Sequence, residues 1–214
     1  MKDLQNTDMS SEKIDVFKTI KAPSEAVLFK DRGSKFYAYA IPTRSIDQIN
    51  ESLESIKTLH PSAGHHCFAY QLGDHYDQYR VSDDGEPNHS AGTPIYGQIQ
   101  SLELTNCLVV VVRYFGGNKL GMSGLINAYK TSALLALKSC LIIDQYITQN
   151  VMITFRYEEI GVLMRHLKTQ NYTITHQSLG TPCRLTLELR SSALVNLKER
   201  VDQWHQMSLT VLED

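Results

Sequence analysis

Two glycine-rich segments hold the residues best suited to chemistry. The first is Asp83-Asp84-Gly85-Glu86-Pro87-Asn88-His89-Ser90-Ala91-Gly92-Thr93-Pro94. Its carboxylates Asp83, Asp84 and Glu86 form an acidic knot that could hold Mg²⁺ through oxygen ligands. The same residues suit a solvated turn in which Asp caps backbone amides, and the EF-hand ligand ladder is absent, so the turn is preferred. Thr93 as N-cap with Pro94 at the first helical position marks a helix start. His65, His89, Ser90, Gly92 and Thr93 are further candidates around this loop. The second segment is Arg113-Tyr114-Phe115-Gly116-Gly117-Asn118-Lys119-Leu120-Gly121-Met122-Ser123-Gly124. Gly116, Gly117, Gly121 and Gly124 let the backbone turn and approach a ligand closely, and a helix start at Ser123-Gly124 offers N–H groups to an anion. Arg113 and Lys119 add positive charge, while Tyr114 and Phe115 are placed to stack or to pack. Anion or nucleic-acid binding is one reading. A strand-to-helix junction that needs glycine only for turning is the other.

Other chemistries find less support. Neither segment has P-loop or dinucleotide spacing. His60, His65, His66, His75 and His89 fall close together without a zinc pattern, and adjacent His65 and His66 on a strand point to opposite faces. No GxSxG elbow occurs, and nothing in the spacing pairs Ser90 or Cys67 with His65. No catalytic residue, metal or cofactor is therefore assigned. The four cysteines lie far apart without a CxxC pair, and they read as reduced, structural thiols.

These loops need a scaffold. Asn106 to Tyr114 is the most apolar stretch and is expected to be a central strand. Gly124 to Cys140 follows as a helix. Val16 to Ile20, Ala26 to Phe29, Lys35 to Ile41 and His66 to Leu72 read as strands, with a turn at Asp31-Arg-Gly-Ser34. Ser45-Ile-Asp-Gln48 resembles a capping box that opens a helix ending before Pro61. After a boundary near Asp144 to Gln149, the order is strand (151–157), helix (158–170), strand (172–177), strand (185–189), helix and strand (208–212), with Ser191 or Ser192 as a cap. That is a ferredoxin-like βαββαβ arrangement. The expectation is an α+β protein with domains at 1–144 and 145–214.

Composition narrows the class. The chain has 214 residues, 42% hydrophobic, with 21 basic and 23 acidic residues and a net charge of −2. A histone-like polycation is excluded, and near neutrality counts against a general RNA binder. Residues 145–214 balance as well, with seven Lys/Arg and seven Asp/Glu. The polar N-terminus has no secretory core, and the longest apolar run, Cys107 to Val112, is far below the roughly 20 residues of a membrane span. A cytoplasmic location is expected.

Asp83-Asp-Gly-Glu-Pro87 with Ala91-Gly92-x-Pro94, then Val109-Val-Val-Val-Arg-Tyr-Phe-Gly-Gly-Asn-Lys-Leu-Gly121 and Gly124-Leu-x-x-Ala-Tyr129, closely resembles the IMPACT family, including its bacterial YigZ-like branch. Ala63-Gly-His-His-Cys-Phe-Ala-Tyr70 is similar to the segment that precedes the family's acidic loop. The resemblance implies a first domain like ribosomal protein S5 domain 2 and a second like one found in translation elongation factors. It also implies translation regulation, as in the eukaryotic members. Asn88 and His89 stand where the family commonly has Ser, Gly or Thr.

Three functions follow. The leading one is a non-enzymatic translation regulator that binds RNA, the ribosome or a translation-associated protein through the helix-start loops, with Arg113 and Lys119 on phosphates. The second is an enzyme binding a nucleotide or phosphate ligand on a GHMP-kinase-like version of the S5 fold. The third is a protein-interaction scaffold that docks its partner on the C-terminal sheet.

Overall fold

A computed structural model describes residues 15–212. The chain divides into two compact units, Phe17–Gln145 and a second formed, among the described residues, by 15–16 with 146–212.

In the first unit, β6 (Cys107–Tyr114) is the middle strand of five, in the order β2-β3-β6-β4-β5. Its neighbours are β3 (Ser34–Pro42) and β4 (His65–Leu72), and β2 (Val27–Asp31) and β5 (Gln78–Ser82) form the edges. All of these pairings are antiparallel. The run from Cys107 to Val112 has no polar residue to place toward water, so both faces of the sheet must be covered. On one face α2 (Gly92–Ser101) and α3 (Gly121–Ser139) pack over Phe36, Ala38, Ala40, Cys67, Ala69, Val109 and Val111. On the other, α1 (Ile46–Leu59) presses Ile49, Leu53 and Ile56 onto Leu108, Val110 and Val112. A separate two-stranded sheet pairs β1 (Val16–Ile20) with β7 (Ile142–Tyr146).

The termini of α1 show how local chemistry sets a helix. Ser45 accepts from Gln48 N at 3.3 Å, as the capping pattern predicts, but Gln48 Oε1 accepts from Arg44 N at 2.8 Å rather than from Ser45. The helix stops at Leu59, before Pro61. His60 then donates its backbone N–H to Ile56 O and seats its ring under the sheet. Nε2 meets the Tyr39 hydroxyl at 2.6 Å and Nδ1 the Tyr114 hydroxyl at 2.9 Å.

The second unit contains β8 (Thr148–Phe155), α4 (Ile160–Thr169), β9 (Thr173–Ser178), β10 (Cys183–Arg190), α5 (Ser191–Asp202) and β11 (Ser208–Leu212). Its sheet order is β11-β8-β10-β9, antiparallel throughout. Alternating residues Val151, Ile153 and Phe155 with Leu185, Leu187 and Leu189 face Leu163, Leu167, Leu197 and Val201 of the two helices.

Several local expectations are corrected. The α3 helix begins at Gly121, not Gly124, because the segment that reads as loop forms its first turn. Neither Ser191 nor Ser192 caps α5. Arg190 is the N-cap, Ser191 N donates to Ile147 O, and Ser192 N donates to the buried Asp15 carboxylate at 3.2 Å. The structure adds two strands that the sequence pattern does not mark, β5 and β7. The β5 strand is an edge strand exposed along most of its length, which leaves little alternation to detect.

Burial holds the His60 ring below the ordinary histidine pKa. The unfolded chain therefore binds this proton more readily than the folded one, so stability is full above about pH 6.5 and declines as pH falls below it. His166 in the second unit is shifted the same way, by burial and by Arg200. Urea unfolding at pH 7 and pH 5 should show the loss, and His60→Gln should remove part of that pH dependence and leave the His166 share.

Candidate functional site

The acidic loop commits its three carboxylates to hydrogen bonds within the fold, although only Glu86 is buried and the Asp84 side chain stays half-exposed. Asp83 Oδ1 accepts from Ala91 N and Gly92 N at 2.9 and 2.8 Å, and its Oδ2 accepts from His89 N at 2.9 Å. The α2 helix therefore starts at Gly92, with Ala91 as N-cap and Asp83 as a remote cap. This corrects the expectation that Thr93 is the cap. The Thr93 hydroxyl instead lies 3.2 Å from His89 Nδ1. Gly92 admits no side chain, since a Cβ would stand 2.7 Å from Ser82 N. Ser90 is buried and donates to Pro87 O at 2.6 Å.

Asp84 serves the start of β4. Its Oδ2 accepts from His66 N at 2.6 Å, and its carbonyl accepts from His65 Nδ1 at 2.8 Å. Glu86 is 7% exposed, and its Oε1 accepts from Arg113 Nη1 at 2.6 Å and from the Tyr129 hydroxyl at 2.7 Å. His65 Nε2 lies 3.9 Å from the same oxygen. Among the described residues no group of three or more His, Cys, Asp or Glu is arranged to hold a metal ion.

Arg113, read from the sequence as a phosphate contact, is 6% exposed. Its guanidinium lies between the rings of Phe36 and Phe115, each centroid 5.7 Å away, and its charge is met by Glu86. Tyr129 was not among the sequence candidates. Its signal was the spacing of four from Leu125 on the inward face of α3, which ends in a hydroxyl that needs a partner. Cys67 donates to Asp83 O at 3.0 Å and contacts the Tyr129 hydroxyl at 3.4 Å. Burial pushes both the Cys67 thiol and the Tyr129 phenol far up, so neither is a ready nucleophile or base.

The exposed chemistry lies beside this pair. The β2–β3 turn, Arg32-Gly33, has φ of 44° and 86° and touches the loop after β6 backbone to backbone. A Cβ on Gly116 would sit 1.9 Å from Gly33 C, so this approach requires glycine. Gly116 N also donates to Ser34 Oγ at 3.2 Å. Between turn and loop is a cleft of about 220 Å³ lined by Gly33, Lys35, Tyr37, Tyr114 and Phe115. Phe115 is 59% exposed, and Tyr37 meets Tyr114 edge to face at 5.8 Å. Lys119 and Ser123 are exposed further along. Gly117 and Gly121 take φ of 87° and 74° in open space, whereas a Cβ on Gly124 would sit 3.0 Å from Leu120 Cβ. Sequence spacing missed Gly33, Lys35 and Tyr37, which come from a different hairpin. Their only local signals were the turn and the i, i+2 alternation of Lys35 and Tyr37.

Residues 32–137 match the family described as the Impact N-terminal domain. An IMPACT family member of Haemophilus influenzae is 38% identical over 120 residues, which cover 54% of this chain and 58% of that protein. IMPACT family member YigZ of Escherichia coli is 37% identical over 112 residues, 51% of this chain and 55% of YigZ. The chain thus spans a little over half the length of these two relatives. A crystal structure of a hypothetical protein superposes with a TM-score of 0.69 at 24% identity, covering 94% of this chain and 99% of that one, and so shares the fold.

Glu86→Ala would leave the Arg113 charge buried without its partner. A loss of about 3–5 kcal/mol is expected in urea unfolding. The double variant Glu86→Leu/Arg113→Met should recover much of it, because no buried charge then remains.

Proposed function

Since the chain belongs to the IMPACT family and is YigZ-like, we propose that it is a non-enzymatic translation regulator that engages unpaired RNA, on the ribosome or free. The observation that carries this reading is the aromatic cleft at the Gly33–Gly116 contact. There the exposed Phe115 ring stands beside Tyr37, Tyr114 and the Lys35 ammonium. Exposed aromatic rings beside a cation suit a base and its phosphate, and stacking of a base on a ring tolerates any base. The phosphate contacts are assigned to Lys35 and Lys119, because Arg113 is committed to Glu86. With a net charge of −2, such contacts give local rather than general RNA affinity.

The nucleotide-enzyme alternative needs carboxylates free for Mg²⁺. Asp83 and Asp84 are instead bound to backbone amides and Glu86 to Arg113, so the binding reading is favoured. In this reading the first unit is S5 domain 2-like and the second ferredoxin-like. The second assignment is supported by a sheet order of fourth, first, third and second strand within that unit. Action in the cytoplasm accords with it, and no helix among the described residues is long and apolar enough to cross a membrane.

Fluorescence anisotropy with a labelled single-stranded RNA, across a salt series, tests the reading. Phe115→Ala should weaken binding about five- to a hundredfold. Lys35→Gln with Lys119→Gln should flatten the slope of log K against log salt by roughly 1.4, the share of two phosphate contacts on a single strand. RNA affinity that is absent at low salt, or unchanged in these variants, would overturn it.

A further inference from the structure

A second cleft of the first unit lies at the other end of β3. It encloses about 240 Å³, and its polar lining is Thr19, Lys21, Thr43, Arg44, Gln48, Asn106 and Gln145. The lining includes two cations and no carboxylate. The 14-residue helix α1 begins here, so its positive end adds to the same field. Asp47, in the first turn of α1, is exposed and does not line the cleft.

Thr43 supplies an independent observation. It is 2% exposed, its backbone N–H donates to Asn106 O at 3.0 Å, and its Oγ1 is buried without any partner. Nearly every buried hydroxyl in a folded protein is hydrogen-bonded, so an orphan on a cleft wall needs an acceptor from outside the chain. The neighbouring side-chain amide is turned to other partners. Asn106 Oδ1 accepts from Gly73 N at 2.9 Å, and its Nδ2 donates to Asp74 Oδ1 at 2.8 Å. Arg44 Nη2 donates to Gln145 Oε1 at 2.5 Å, one bond from a guanidinium with five donors. Arg44 N is held by Gln48 Oε1, which keeps this residue at the mouth of the helix.

We propose that this cleft is a binding site for a small oxyanion of the phosphate type. The Thr43 hydroxyl donates to one anion oxygen, and Lys21, Arg44 and the first turn of α1 balance its charge. The site is separate from the aromatic cleft, and it does not depend on the RNA reading.

The test uses the full chain and inorganic phosphate. Backbone amide NMR spectra are recorded during titration from chloride at constant ionic strength. Saturating shifts at Thr43, Arg44 and Gln48 are expected below about 10 mM. Thr43→Val keeps the side-chain shape and should weaken phosphate about tenfold, the effect of one hydrogen bond to a charged group. In chloride the same variant should melt no lower than the parent, since its hydroxyl has no partner there. Arg44→Gln should weaken phosphate as well, whereas Phe115→Ala should leave it unchanged. A parallel titration with adenosine monophosphate identifies the source of the anion. Tighter binding than phosphate at the same amides assigns the site to the phosphate end of a larger molecule, and equal or weaker binding assigns it to the free ion. The proposal is overturned if residues 43–48 show no saturating shift with either probe. It is equally overturned if Thr43→Val lowers the melting temperature in chloride and leaves phosphate affinity intact, which would make the hydroxyl a partner of a structural water.

Discussion

Glu86 is the carboxylate on which the first unit's functional end depends. Its Oε1 takes hydrogen bonds from Arg113 at the end of the central strand and from Tyr129 on the long helix. A single buried oxygen thereby joins the acidic loop, β6 and α3. An ion pair at this depth offers little net stability over a well-packed apolar alternative, but each charge is costly without the other. The pair therefore acts as a registration device: the loop must be seated for Arg113 to be buried, and Arg113 must be buried for the strand end to close.

The rest of the site follows from that closure. With Glu86 seated, Asp83 reaches the amides that open α2, and Asp84 reaches the amide of His66. The three neighbouring carboxylates thus serve three separate structural ends. Arg113, neutralised by Glu86, lies against the Phe115 ring. The cation that carries sequence-level promise is in this way converted into a support for an exposed aromatic, and the outward-facing charge passes to Lys35 and Lys119. His60 performs a comparable task on the opposite face of the sheet. By fixing the Tyr114 hydroxyl it sets one wall of the aromatic cleft, and it ties the end of α1 to the same corner.

The close approach of Gly33 and Gly116 makes the cleft a property of two hairpin ends rather than of one motif. Any side chain at Gly116 would collide with the backbone of the β2–β3 turn. The glycine pattern after β6 is therefore required by packing at 116 and by positive φ at 117 and 121. Two physical needs underlie what reads in the chain as a single glycine-rich loop.

Much of this was legible in the residues themselves. The unbroken apolar run of β6 demanded a sheet covered on both faces, alternation marked the strands of the second unit, and Ser45 with Pro61 bracketed α1. These are local signals, set by side-chain periodicity and by the backbone limits of capping residues and proline. The glycines and acids of the two loops were likewise visible as a site worth examining, and the motifs they form led to the family. What residue types alone left undecided was the partner of each polar group. Asp83, rather than Thr93, caps α2 across an interval of eight residues, and Asp15 serves the start of α5 from the far end of the chain. Lys35 and Tyr37 join Phe115 only because β3 lies beside β6. Hydrogen bonds and ion pairs are short-ranged and indifferent to sequence separation, so which donor meets which acceptor is decided when the sheet brings distant strands together. Local patterns in the residues marked most of the elements, β5 and β7 excepted, together with their buried faces and the residues with chemical potential. Tertiary structure decided which of those residues are spent holding the fold and which remain to meet a ligand.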